Sequence, residues 1–135
     1  MKGYLMQERE WAPGADLFLE SLSPENAYGV VFEDDGDTAY FYAVEQEGEG
    51  SGVRVLDALH IDDRGEDARI TESVRLQIVW SRDWLKAALV IGGRCHALFD
   101  FDAHGGYNIN EFPPPNDFWT RGDRKLTTDI LGNIF

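Results

Sequence analysis

Apolar and polar residues alternate along most of this chain, in short runs separated by Gly, Asp and other turn residues. Alternation with period two places successive side chains on opposite faces of an extended strand, whereas an amphipathic helix repeats every three to four residues. The pattern predicts a mainly β fold: an antiparallel meander sheet, either open or curled towards a barrel or sandwich, with a short C-terminal helix. An α+β fold is the alternative. The length of 135 residues corresponds to one globular domain, residues 1–135.

Turn residues between the apolar runs predict hairpins. GVVF and TAYFYAVE flank the acidic turn EDDGD at residues 33–37. LKAALVI and RCHALFDF flank Gly92 and Gly93, which supply the positive φ angles of a two-residue hairpin turn. VRLQIVW joins LKAALVI through residues 81–83, and DLFLESLS at residues 16–23 favours a strand over a short helix. Together these runs predict a meander.

Two of the runs predict which side chains face the core. In VRVLDALHI the expected inward face is interrupted by Asp57 and otherwise consists of Val53, Val55, Leu59 and Ile61. In RCHALFDF the expected inward residues are Cys95, Ala97, Phe99 and Phe101. The opposite face of this second run would carry His96, Leu98, Asp100, Asp102 and His104.

The segment after Asp102 has no hydrophobic period. It contains three consecutive prolines and the aromatic residues Tyr107, Phe112, Phe118 and Trp119. These aromatic side chains either cover the core as a flap or form a contact surface. A helix of one or two turns is predicted at residues 125–131, ended by Gly132, and a Gly-rich loop is predicted at residues 45–52.

Charge is unevenly distributed along the chain. The 25 acidic and 12 basic residues give a net charge of −13. Residues 1–68 contain 17 of the acids and four of the bases, and residues 69–135 contain eight of each. The negative field opposes binding to nucleic acid or to an anionic membrane. It is either a well-solvated surface or a patch complementary to a basic partner.

Targeting signals and disulfides are not indicated. The chain starts without the apolar region of a secretory signal, and no apolar stretch approaches the roughly 18 residues of a membrane helix. We therefore expect a cytoplasmic location. Cys95 is the single cysteine, so it forms no internal disulfide, and we expect it to be a small core residue.

One stretch, HALFDFDAHGG, has the residue types of a metal site. Its candidate ligands are His96, Asp100, Asp102 and His104, because two imidazoles and two carboxylates suit zinc or another divalent ion. The spacing matches no recognised metal motif, and the alternative is the solvent-facing side of a strand. His60 lies near acids in DALHIDD, a minimal general-base combination that also decorates many strand ends.

Catalytic motifs are absent from the sequence. It contains no Gly-x-Ser-x-Gly, no phosphate-binding loop and no dinucleotide fingerprint, and EDDGD lacks the spacing of an EF-hand. An enzymatic function is therefore unsupported, and no cofactor is expected.

The stretches GVVFEDDGDTAYFYAVE, VLDALHI and IVWSRDWLKAALVIGGRCHALFDFDAHGGYNINEFPPP resemble a family of small uncharacterised bacterial proteins, a domain of unknown function. The resemblance covers residues 29–115. It implies a bacterial source and a single domain, and it transfers no activity, cofactor or functional residue.

These observations favour a protein-binding module, such as an acidic immunity or inhibitor protein that neutralises a basic toxin. The expected contact residues are Glu33, Asp34, Asp35, Asp37, Phe118 and Trp119. The alternative is a metal-binding protein or metal-dependent enzyme that uses residues 96–104. A homo-oligomer is a third hypothesis, because exposed strand edges can pair between chains.

Overall fold

The computed structural model describes residues 3–48 and 52–132. Its strands are β1 (Gly3–Trp11), β2 (Leu17–Leu22), β3 (Tyr28–Asp34), β4 (Thr38–Gln46), β5 (Val53–Asp63), β6 (Val74–Ser81), β7 (Lys86–Ile91), β8 (Arg94–Asp100) and β9 (Gly105–Asn108). A 3₁₀ turn at Gly65–Asp67 and a helix α1 at Thr128–Gly132 complete the elements. The predicted mainly β fold with a short C-terminal helix is confirmed.

The strands form two antiparallel sheets. The first sheet has the order β1-β6-β7-β8-β9, and the second sheet has the order β2-β3-β4-β5. Each sheet contains a meander, as predicted. Strand β1 pairs with β6 along its length and is an edge strand with mostly exposed side chains, so its hydrophobic pattern alone does not identify it.

The hydrophobic core lies between the two sheets. The rings of Phe41 in the second sheet and Phe99 in the first sheet stack at a centroid distance of 5.4 Å. Two buried indoles also bridge the layers: Trp11 Nε1 donates to Asp34 Oδ2 at 2.9 Å, and Trp80 Nε1 donates to Ser21 Oγ at 2.9 Å. The burial of large aromatic rings and the pairing of their N–H groups hold the two layers together.

The predicted Gly-Gly hairpin is confirmed. Gly92 and Gly93 have φ angles of +60° and +82°, and Ile91 pairs directly with Arg94. Side chains other than Gly, Asn or Asp rarely adopt two successive positive φ angles, so this dipeptide determines the turn between β7 and β8.

Bulges overturn part of the predicted alternation. In β5, Asp57 pairs with Ala43 of β4 and Val55 pairs with Val44, so Leu56 between them is the extra residue of a bulge. Leu56 joins Leu59 and Ile61 in the core. The expected inward residues Val53 and Val55 are instead 40% and 51% exposed. An extra residue in one strand reverses the facing of every residue beyond it, which is the reason for this correction.

A second bulge shifts the pairing between β7 and β8. Ala97, Phe99 and Phe101 lie in the core as predicted. Cys95 does not, because the irregular residue His96 moves it to the outer face of the first sheet. There Cys95 packs with Leu98 in an outer cluster.

The C-terminal segment covers that outer face. The side chains of Leu126, Ile130 and Leu131 pack against Ala88 and Leu98, so this part of the first sheet is not solvent-facing. Helix α1 begins at Thr128, three residues later than predicted. The centre of the predicted Gly-rich loop, residues 49–51, lies outside the described residues. Within residues 3–48 and 52–132, no helix is long and apolar enough to cross a bilayer.

Candidate functional site

The predicted acidic turn connects β3 to β4 and contains both structural and surface carboxylates. Asp34 is buried, and its carboxylate accepts hydrogen bonds from Trp11 Nε1, Gly14 N and Gly36 N. Asp35 is exposed, and the backbone N–H groups of Thr38 and Asp37 lower the pKa of its carboxyl. Asp34 therefore anchors the turn, whereas Glu33, Asp35 and Asp37 lie at the surface.

Aromatic side chains lie next to these acids on the outer face of the second sheet. Tyr40 stacks on Tyr42 with their ring centroids 5.9 Å apart. The ring of His60 makes T-shaped contacts with Tyr40 and with Phe112, at centroid distances of 5.4 and 5.8 Å. We call Tyr42, Tyr40, His60 and Phe112 the aromatic ladder. Glu33 is paired with Tyr40 across the strands, so both side chains are on one face. Burial, and then the charge of Glu33, raise the pKa of Tyr42.

The two predicted aromatic contact residues differ in position. Phe118 is 71% exposed, whereas Trp119 is 7% exposed and contacts Phe99 and Phe101 in the core. The aperiodic segment therefore covers the core through Trp119 and leaves Phe118 at the surface. Of the six predicted contact residues, Glu33, Asp35, Asp37 and Phe118 are therefore the ones that lie at the surface.

The predicted metal ligands are distributed over two places. His96 lies on β8, and Asp100 ends that strand and accepts hydrogen bonds from Asp102 N and Ala103 N. His104 has a φ of +54° and stacks on Trp119 at 5.1 Å. Among the residues that the structure describes, no group of three or more His, Cys, Asp or Glu is arranged to hold an ion. The metal hypothesis stays a prediction.

Both ring nitrogens of His60 are hydrogen bonded. Nε2 lies 2.9 Å from Asp63 Oδ1, and Nδ1 lies 2.7 Å from Asn110 Nδ2. The amide oxygen of Asn110 already accepts from Phe112 N, so its nitrogen must face His60. His60 Nδ1 is therefore the acceptor and Nε2 carries the proton. With both nitrogens engaged, His60 holds the segment after β9 in place and offers no free base.

A pocket of about 260 Å³ lies where β5 of the second sheet approaches β8 and β9 of the first. We call it the basic pocket. Its polar lining consists of Arg69, Arg94, His96, His60 and Asn110. Its apolar lining consists of Ile61, Ile70 and Ile109. Burial, and then the charge of Arg94, lower the pKa of His96.

The loop that brings Arg69 and Ile70 to the pocket is organised by one buried carboxylate. Asp62 accepts hydrogen bonds from the backbone N–H groups of Asp63, Arg69 and Ile70 and from Arg64 Nη2. These four donors neutralise much of the Asp62 charge and fix the loop between β5 and β6. On the opposite wall, Ile109 N donates to the backbone oxygen of His96 at 3.2 Å.

A buried ion pair fastens the C-terminal segment to β5. Arg124 is 1% exposed and donates to Asp57 through Nη1 at 2.7 Å and Nη2 at 2.8 Å. Thr120 Oγ1 also donates to Asp57, and Arg124 Nε donates to the backbone oxygen of Pro113. Sequence reasoning did not connect these residues. The available signal was Asp57 itself, an acid in an otherwise apolar strand face.

The pocket residues Arg69, Arg94 and Asn110 were also not singled out from the sequence. They come from three distant segments, and none of them stands within a motif. The sequence did single out His96, but as a metal ligand together with Asp100, Asp102 and His104. Arg94 precedes His96 by two residues on β8, whereas only the packing of the loop before β6 against β8 brings Arg69 to the same pocket.

Comparison with known proteins shows similarity to other bacterial chains. An uncharacterized protein of Haemophilus influenzae is 38% identical over 96 residues, which cover 70% of this chain and 58% of the relative. The match therefore spans less than two thirds of the relative's length. No solved structure matches this chain. Residues 11–135 match the family described as "Uncharacterized protein conserved in bacteria (DUF2251)", and the chain belongs to that family.

Proposed function

We propose that this protein is a cytoplasmic binding module that holds a basic protein surface against the outer face of its second sheet. Its most concrete form is an immunity or inhibitor protein that neutralises a basic toxin. The observation that carries this proposal is the position of Glu33 beside the aromatic ladder, with Asp35 and Asp37 in the adjoining turn.

The chemistry of this face suits Lys and Arg side chains. The faces of Tyr40 and Tyr42 attract a cation, and the neighbouring carboxylates pair with it. Arg54 is the single Arg or Lys on the four strands, and it is bonded to Glu45. The acids near the ladder are therefore not neutralised by bases of their own sheet.

Exposed apolar side chains extend the face. Phe18 is 63% exposed and pairs with Glu33 across the strands, and Phe112 at the other end of the ladder is 50% exposed. Interfaces commonly combine aromatic anchors with a charged rim, which is the arrangement present here.

The test compares two triple variants that remove the same charge. Glu33→Gln, Asp35→Asn and Asp37→Asn neutralise the face, and the amide oxygen at position 35 can still cap the turn. Glu10→Gln, Glu25→Gln and Asp129→Asn are the matched control, because these exposed acids lie elsewhere. A partner captured from the native bacterium and purified is titrated calorimetrically against each variant at about 50 and about 300 mM salt.

We expect the face variant to bind about tenfold more weakly at low salt, with most of that difference lost at high salt, and the control to change by less than about twofold. Capture of a protein does not by itself support the proposal. Equal effects of the two variants, or an affinity independent of salt, would contradict it.

A further inference from the structure

We propose that the basic pocket binds a small molecule that carries a phosphate or carboxylate group, with Arg69 and Arg94 holding the oxyanion. This inference goes beyond the proposed function, because the pocket lies where β5 approaches β8 and β9 and shares only His60 with the aromatic ladder. It rests on the convergence of the lining groups and on the charge balance around them.

The lining is rich in hydrogen-bond donors. Each guanidinium presents a planar fork of N–H groups that matches two oxygens of a carboxylate or phosphate. Asn110 Nδ2 has a second hydrogen beyond the one that it donates to His60 Nδ1. The half-buried ring of His96 belongs to the same lining.

The two guanidiniums have no carboxylate partner within residues 3–48 and 52–132. The ion pairs there use Arg54, Arg64, Lys86 and Arg124. Two acids close to the pocket are already bonded: Asp62 to Arg64 and three backbone N–H groups, and Asp63 to His60. Glu72 lines an adjoining cavity with Arg69 and His96 and forms none of the ion pairs above. An added anion would therefore meet cations whose charge the protein has not cancelled.

The net charge of −13 does not prevent anion binding at this place. Charges farther than a Debye length, about 8 Å at physiological ionic strength, are largely screened, whereas Arg69 and Arg94 line the pocket itself. Asp62 is also close, because its carboxylate bonds to the backbone of Arg69 and Ile70, but Arg64 and three backbone N–H groups already balance its charge. The two guanidiniums are therefore left to attract a bound oxyanion.

The size and apolar wall of the pocket define the rest of the ligand. A volume of about 260 Å³ is below the range of drug-sized sites, about 300–1,000 Å³, and therefore suits a small metabolite. Ile61, Ile70 and Ile109 offer contacts to a short apolar portion. An oxyanion at one end and a compact hydrocarbon or ring at the other is the chemistry that fits.

The test uses the full chain, labelled with ¹⁵N and titrated with three probes that share a phenyl group. Phenyl phosphate and phenylacetate distinguish the two oxyanions, and 2-phenylethanol is the uncharged control. Backbone amide shifts of Ile61, Ile70 and Ile109 report the location. We expect at least one anionic probe to bind with a Kd of about 1 mM or tighter, and the alcohol at least tenfold more weakly.

Variants identify the groups that hold the anion. Arg69→Gln with Arg94→Gln should weaken the anionic probe at least tenfold, whereas Arg9→Gln with Arg82→Gln, which remove the same charge elsewhere, should leave its affinity unchanged. Arg94→Lys keeps the charge, loses the fork and should fall between these variants. All substituted arginines are exposed, so the fold tolerates the changes. No binding of either anion up to about 10 mM, equal binding of the alcohol, or unchanged affinity in the pocket variant would overturn the proposal.

Discussion

Replacing Asp57 by Asn tests whether the buried ion pair holds the C-terminal segment on the sandwich. The substitution keeps the shape of the side chain and removes its charge. Arg124, 1% exposed, would then retain its hydrogen bonds to the backbone oxygens of Pro113 and Gly106 but lose its counter-charge. One of the two Asp57 oxygens would also become an amide nitrogen that faces N–H donors.

The magnitude follows from the burial of both partners. Their side chains are 0% and 3% exposed, so solvent cannot compensate the guanidinium when its partner is removed. Breaking a buried pair in this way costs about 3–5 kcal/mol in free energy of unfolding. For a domain of this length that loss lowers Tm by roughly 10–18 °C.

Urea unfolding followed by tryptophan fluorescence measures the effect, because Trp119 lies in the segment that Arg124 fastens. The control is Glu45→Gln, which breaks an ion pair whose side chains are 29% and 60% exposed and should cost less than about 1 kcal/mol. Asp57→Leu combined with Arg124→Met removes both charges and should recover much of the lost stability. The reasoning is refuted if Asp57→Asn costs no more than Glu45→Gln.

Two further predictions concern residues whose pKa is shifted. Burial raises the pKa of the Cys95 thiol to about 11, so we expect it to react with a disulfide reagent at pH 8 roughly 100-fold more slowly in the native than in the unfolded chain; equal rates would contradict this. Burial lowers the pKa of His96, so the unfolded chain takes up this proton first as the pH falls. The contribution of neutral His96 to the free energy of unfolding is therefore fully present above pH 6.5 and declines as the pH falls from there towards the folded pKa. We expect His96→Gln to flatten this decline, which urea midpoints measured from about pH 7 to about pH 5 would show.

The parts of the fold that were predictable are those specified by local patterns. The turn at Gly92 and Gly93 follows from the positive φ angles that both residues adopt. The strands on either side of the acidic turn follow from their alternating apolar residues and from Asp and Gly in the turn itself. In each case, residues a few positions apart decide the structure.

The bulges were not predictable by the same reasoning. The shift in β5 moves Leu56 into the core and Val53 and Val55 to the surface, although all three belong to one apolar run. Whether a strand contains an extra residue depends on the strand beside it. A period-two pattern carries no information about that neighbour.

The candidate sites show the same division. The acids at positions 33, 35 and 37 and the exposed Phe118 could be proposed from composition, because surface charge and aperiodic aromatic segments are visible in the sequence. Asp34 and Trp119 belong to the same stretches but are buried, at 3% and 7% exposure. Their roles depend on which partner approaches from the other sheet, Trp11 for Asp34 and Phe99 for Trp119.

The sequence by itself determined the class of the fold, the main hairpins and the separation of charge between the two halves of the chain. These properties depend on side-chain periodicity, turn conformation and composition, which are local or additive. The tertiary structure alone decided that β1 pairs with β6, that Arg124 reaches Asp57, and that Arg69, Arg94 and His96 line one pocket. Such contacts join residues far apart in the chain, and they form only where the packing of two sheets brings those residues together.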